Sequence, residues 1–317
     1  LFQVDGGTLD LIGRNGLQAA SRSGAVTFRN AVVSRTGNAA VPAQEGHGVR
    51  LRECTGAVLV QNCDLTDLRD NDPAFFTDNN GVDLLNTTGT LPSLTITQCD
   101  FKGTAVGLNG DTTDHGARVL LEGTAVVTTV TFTDNTASMT DGSAIQVWLD
   151  PDDSGNAPSI GTLDITDNPS IQTQGWGVEI RVDGLSTLPS FHVDRNRLFG
   201  DNASFPTLGF SASGGILFNM GEFATGIAST ATATGTISNN DIDDLGDGAF
   251  DRGIDVLTQD ATVLNVTVNA NTVDGTAAEG ISLRSFDATK MTVKLTNNAL
   301  AATRQVLLAP GGGALQA

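Results

Sequence analysis

Positive charge is scarce in this chain: 17 Lys and Arg stand against 36 Asp and Glu, a net charge of −19. Only Lys102, Lys290 and Lys294 are lysines. Nucleic-acid binding needs a basic footprint that releases counterions, so that class of partner is excluded. The acidic excess favours solubility and suits a saline or calcium-rich exterior. No run approaches the ~20 apolar residues that a membrane-crossing helix needs. The cysteines form no Cys-x-x-Cys pair and the histidines are scattered, which argues against a zinc site. Residues that favour helix are few, whereas Gly numbers 37 and Thr, Asp and Asn are abundant. A charged-then-apolar leader is also lacking and the first residue is Leu, so a processed or cut N-terminus is expected.

What is present is a recurring phrase: apolar, polar, apolar, two small or polar residues, then Asn or Cys, and an apolar residue two places on. It reads VTVNANTV at 266–273. The marked slot holds Ala31, Cys63, Cys99, Asn135, Asn168, Asn196, Asn240, Asn271 and Asn298, at spacings from 27 to 44 residues. An elastic period of this kind belongs to solenoids that place insertions in loops. A second phrase, Gly-apolar-any-apolar, falls between the rungs, as in Gly48-Val49-Arg50-Leu51 and Gly280-Ile281-Ser282-Leu283. Each period therefore carries at least two short strands with period-two alternation. One coil cannot bury its own inward face, but parallel stacking of coils does so. The Asn slot suits an inward turn, where amides bond to one another up the stack.

The two phrases together resemble the right-handed parallel β-helix of the pectate-lyase-like superfamily, over nearly the whole chain. The resemblance implies an all-β solenoid of about nine coils with variable loops, and a repeat region of a secreted or surface-exposed bacterial protein. It is specific for fold and not for chemistry, because this fold serves enzymes, adhesins and stalks alike. We expect one elongated domain over residues 1–317. Leu1 to Ile12 and Arg304 to Leu308 alternate like strands of further coils, so a segment of a longer chain or a subunit stacking through open ends is expected. Cys63 and Cys99 occupy the same slot in consecutive coils and are expected as stacked free thiols; a disulfide is the alternative.

Candidate site residues follow from the register. His47, Asn80 and His115 precede the recurring Gly in three successive coils, and Arg50, Asp83 and Arg118 follow it by two. Strand alternation points the latter three outward, an expected solvent-facing basic patch. For a β-eliminating lyase or a hydrolase acting on uronate polymers, His47 and His115 would supply a base and Arg50 and Arg118 would hold carboxylate. The alternative is a plain cross-strand salt ladder. Trp176 and Glu179 are candidate sugar-binding residues. Asp150, Asp152 and Ser154 follow the start of a calcium loop, though Gly161 stands where its last carboxylate belongs. Calcium is thus the one cofactor considered. Acidic or long insertions at Asp67–Asn80, Asp150–Asn156, Arg197–Gly215, Ala224–Thr234 and Asp241–Asp251 are expected loops.

Three functions remain. The first is an extracellular, cell-surface structural or adhesive module (stalk, adhesin or filament subunit) whose partners are polysaccharide or neighbouring copies of itself. The second is a polysaccharide lyase or glycoside hydrolase. The third is ice binding through Thr95, Thr97, Thr131, Thr133, Thr236 and Ser238, a face that Asp164, His192, Asp194 and Lys294 interrupt.

Overall fold

The computed structural model describes residues 1–10, 15–34, 46–66, 79–102, 115–140, 142–150, 156–173, 175–200, 214–221, 228–243, 252–275, 278–302, 304–311 and 314–316. Every regular element among them is a strand, and all pairings are parallel. The strands form three sheets of 11, 10 and 10 strands, and each coil contributes one strand to each sheet in turn. The chain is therefore a right-handed parallel β-helix of ten coils, roughly 48 Å long at ~4.8 Å per coil. Each period carries three strands. The third is a short one, such as Asp64–Thr66 or Asp241–Asp243, immediately after the Asn slot.

The first strand, Phe2–Asp5, pairs with Val26–Arg29, so a coil does precede the first clear rung. Arg304–Gly311 pairs with Glu279–Phe286 and likewise continues the stack. The stretches expected as loops at Arg197–Gly215 and Asp241–Asp251 begin with second-sheet strands, Arg197–Gly200 and Asp241–Asp243. The stretch at Ala224–Thr234 ends inside a first-sheet strand, Thr232–Ser238.

Apolar side chains on alternate positions of all three sheets meet on the axis. Phe28, Val60, Ile96, Phe132, Ile165 and Val193 line the first sheet, and Leu65, Phe101, Ile171 and Leu198 the second; all are buried. The slot between these two sheets is buried as well. Each Asn there accepts the next-lower coil's slot N–H through Oδ1 and donates through Nδ2 to a carbonyl of that lower coil. Asn240, for instance, accepts from the Asn196 N–H (3.0 Å) and donates to the Val193 carbonyl (2.9 Å) and to Asn271 Oδ1 (2.9 Å). The same pattern runs from Asn135 to Asn298. Cys63 and Cys99 are free thiols that donate to the corresponding carbonyls of Phe28 and Val60 (3.8 and 3.7 Å).

The residue before each slot turns the chain from the first sheet to the second with φ between 50° and 58°: Asn30, Asn62, Gln98, Asp134, Asp167, Arg195, Asn239, Ala270 and Asn297. Asn and Asp tolerate this left-handed conformation, and Ala270 does not gain from it. The recurring Gly before the third sheet has another cause. A Cβ on Gly81 would lie 2.3 Å from the Gly116 carbonyl oxygen of the next coil and 2.5 Å from the Phe101 ring.

The register shifts in two places among the described residues, between Ala137 and Thr140 in the second sheet and between Leu188 and Phe191 in the first. In strands Thr90–Thr97, Val126–Thr133, Ser159–Thr166 and Thr187–Asp194 the first two inward residues are three apart, ending with Leu188 and Phe191. In Thr232–Ser238 the spacing returns to two, so Leu188 pairs with Ala233 but Phe191 with Gly235. One residue of Pro189-Ser190 is thus extra, a bulge that ends a four-coil column of bulges. Gly235 is required here, because a Cβ would stand 2.2 Å from the Phe191 carbonyl oxygen. Phe191 turns inward and stacks on Phe218 at 4.6 Å.

Two outcomes are expected on denaturant titration. Asn240→Ala orphans the Asn196 N–H and the Val193 carbonyl and lowers the unfolding free energy by about 2–4 kcal/mol, while Asn240→Cys, which keeps a donor, costs less. Ala270→Gly raises stability by a few tenths to about 1 kcal/mol by relieving the left-handed turn.

Candidate functional site

The outward position of the third sheet, expected to face solvent, is buried. Arg50, Asp83, Arg118, Gln146, Glu179, Leu217, Asp255 and Ser282 pair in that order on successive strands. Of these Asp83 is 0% and Arg118 8% exposed, and only Arg50 is half-buried. The expectation of a solvent-facing patch is corrected on this point. A carboxylate persists in such a place only when cations and donors surround it. Asp83 has them: Arg118 Nε at 2.8 Å, Asn80 Nδ2 at 3.2 Å, His47 Nε2 at 3.4 Å and Arg52.

Arg52 is the partner that register did not reveal. Arg50 is the strand neighbour of Asp83, yet the pair forms with the arginine two residues on, whose longer diagonal reach also lets Nη1 bond the Leu51 carbonyl (3.0 Å). Burial works to raise the pKa of Asp83, but His47, Arg118 and Arg52 outweigh it and hold the carboxyl well below its usual range.

The two histidines belong to a second ladder. The His47 N–H donates to Asn15 Oδ1 (3.2 Å), the Asn80 N–H to His47 Nδ1 (3.1 Å), the His115 N–H to Asn80 Oδ1 (3.2 Å) and the Ser143 N–H to His115 Nδ1 (2.9 Å). An imidazole nitrogen thus takes the part that the Asn oxygen plays in neighbouring coils, and Nε2 of His47 faces Asp83. His47 is fully buried and His115 half-buried.

Glu179 is also buried. It accepts from Arg181 Nε (2.6 Å), Ser143 Oγ (2.5 Å) and Gln146 Nε2 (2.9 Å). Burial raises its pKa, and Arg181 first among its neighbours lowers it below the usual value. Trp176 is half-buried, with its ring where a Cβ on Gly214 of the next coil would stand. Farther along, Arg284 and Arg252 hold Asp255, and Arg252 and Arg304 hold Glu279.

Asp150 is fully buried with φ 61°, and its Oδ2 lies where a Cβ on Gly184 would sit. Asp152 and Ser154, its expected partners for calcium, lie outside the described residues. Among the described residues no group of three or more His, Cys, Asp or Glu is placed to hold a metal ion. Of the sequence's Asn-x-Thr sites, Asn86 is buried and bonded to the Cys54 N–H (3.0 Å), whereas Asn265 is exposed.

The first sheet's outer face carries the Thr residues as expected. Thr95 and Thr131 pair, then Asp164, His192, Thr236, Thr267 and Lys294 continue the column. At the end of the bulge column this face holds an open groove of about 400 Å³, with Pro189, Ser190 and His192 on one side and Thr292 and Lys294 on the other. His192 Nδ1 lies 2.7 Å from Asp164 Oδ1. In the sequence Asp164, His192 and Lys294 stand out only as interruptions of the Thr face, and Pro189, Ser190 and Thr292 not at all, because the bulge that makes the groove has no motif.

No family model matches the chain, and no curated protein matches it. Among solved structures, that of the Streptococcus pneumoniae surface protein and adhesin PfbA is similar, with a TM-score of 0.43 and 10% identity over 97% of this chain and 90% of that one. A likeness at that level adds nothing to what the three sheets show. No helix among the described residues is long and apolar enough to cross a membrane.

Asp83→Asn is expected to cost about 3–5 kcal/mol, because Arg118 and Arg52 lose their counter-charge in a buried place. The depressed pKa of Asp83 means that its contribution is complete above the unfolded carboxyl value of about 3.9 and is lost as pH falls toward the lower folded value. Denaturant midpoints measured between pH 7 and pH 2 should therefore fall more steeply in acid for the wild type than for the variant.

Proposed function

We propose that this chain is a structural and adhesive β-helix module of the cell exterior, a stiff rod that presents a side face to carbohydrate. The observation that carries this reading is the closure of the third sheet's charged column into coil-to-coil contacts. Asp83, Asp255 and Glu279 each draw on arginines of neighbouring coils, and Glu179 is bonded to Ser143 and Gln146 of the coil before it, so these contacts join one coil to the next. Charges engaged in this way stiffen a scaffold. The acidic surface, net charge −19, suits an exterior setting.

The rival reading, a lyase or hydrolase, rests on the same residues. A base there would have to be an imidazole whose Nδ1 already accepts a backbone N–H, at His47 or at His115. Immobilised protein, with and without calcium, separates the two when exposed to uronate and neutral polysaccharides. The expected result is retention of polymer with unchanged chain length. New unsaturated or reducing ends would overturn the scaffold reading in favour of the enzyme.

A further inference from the structure

We infer that the groove at the end of the bulge column binds a short, mostly neutral oligosaccharide that carries a single acidic group, with that group on Lys294. The inference rests on the carbohydrate-binding reading above and names its site. The groove exists because of backbone, not side-chain chance. Pro189 and Ser190 flank it where the extra residue ends, and the backbone of Gly235 on the next strand lines its floor.

Its lining fits a polyol. The hydroxyls of Ser190, Thr236 and Thr267 and the amide of Asn265 each donate and accept, which matches a ring bearing hydroxyl groups on both edges. The apolar ring of exposed Pro189 offers the sugar a surface beside those groups. His192, Thr236, Thr267 and Lys294 lie on four successive strands, so the cleft is about 14 Å from end to end.

Charge decides which sugar. Lys294 is exposed and makes no ion pair among the described residues, in a protein where most described arginines are paired. An ammonium of this kind is a point charge suited to a carboxylate or a sulfate. At the other end Asp164 sits beside His192, so a second acidic unit there meets like charge. A homopolymer of uronates, charged at every unit, therefore fits poorly, and a glycan with one terminal acid fits well. A nucleic acid is disfavoured on the same ground.

The test uses the full chain and an array of oligosaccharides of two to six units: neutral, sialylated, singly sulfated and homo-uronate. Wild type is expected to retain the singly acidic members and not the homo-uronates. Lys294→Glu should weaken that retention by about tenfold or more, as loss of a charge-assisted contact does. Thr267→Trp, which fills the cleft from an outward position, should abolish it. Both side chains point away from the core, and unchanged thermal unfolding confirms that each variant is folded. Binding unaffected by either variant would overturn the groove while leaving the carbohydrate reading in place. Retention of neutral members alone, insensitive to Lys294→Glu, would overturn the acidic ligand. Retention of no glycan on the array or among the polysaccharides would overturn both readings together.

Discussion

The inward turn between the first and second sheets is the constraint from which the rest follows. It buries a backbone N–H and a carbonyl in every coil, and buried polar groups must be bonded. An Asn side chain satisfies both at once and reaches only to the coil directly above or below. Asn196, Asn240 and Asn271 therefore lock neighbouring coils at one spacing and one register. That register in turn brings each recurring Gly against the next coil's carbonyl, where there is little room for a side chain; Ala144 holds the equivalent place with a single methyl. Cys63 and Cys99 meet the requirement with one weak donor, and Ala31 fills the slot with a small buried methyl alone.

The same stacking governs the charges. In a parallel stack every outward residue has an equivalent neighbour ~4.8 Å away on either side, so like charges in adjacent coils repel and opposite charges pair. The chain answers by setting Asp83 between Arg52 and Arg118, and Glu279 between Arg252 and Arg304. Scarce positive charge is concentrated where carboxylates are buried and interaction is strong. On the exposed first sheet, pairs such as Asp164 with His192 are screened by water and add little to stability. Side chains of that face are free to meet a ligand instead.

A column of bulges ending midway along a sheet is a local break in an otherwise repetitive surface. Repetition makes a stiff but featureless rod; the break at Pro189 and Gly235 gives it a concave place. Rigid coils on both sides hold the cleft's walls, so its shape does not depend on long loops.

The sequence by itself determined the parallel β-helix, the slot residues from Ala31 to Asn298, and the outward placement of Thr95, Thr131 and Thr236. Those features repeat, and period-two alternation with a fixed Asn position leaves one way to stack coils. It did not reveal the left-handed residue before each slot, since Gln98, Arg195 and Ala270 share φ but no chemistry. Tertiary structure alone decided that Asp83 is buried, that Arg52 rather than Arg50 holds it, and that His47 and His115 cap turns. It also placed a groove where one strand has a residue more than its neighbour. The physical reason is common to all of these: burial, diagonal reach and register shifts depend on which coil lies beside which atom, and a one-dimensional period does not carry that information.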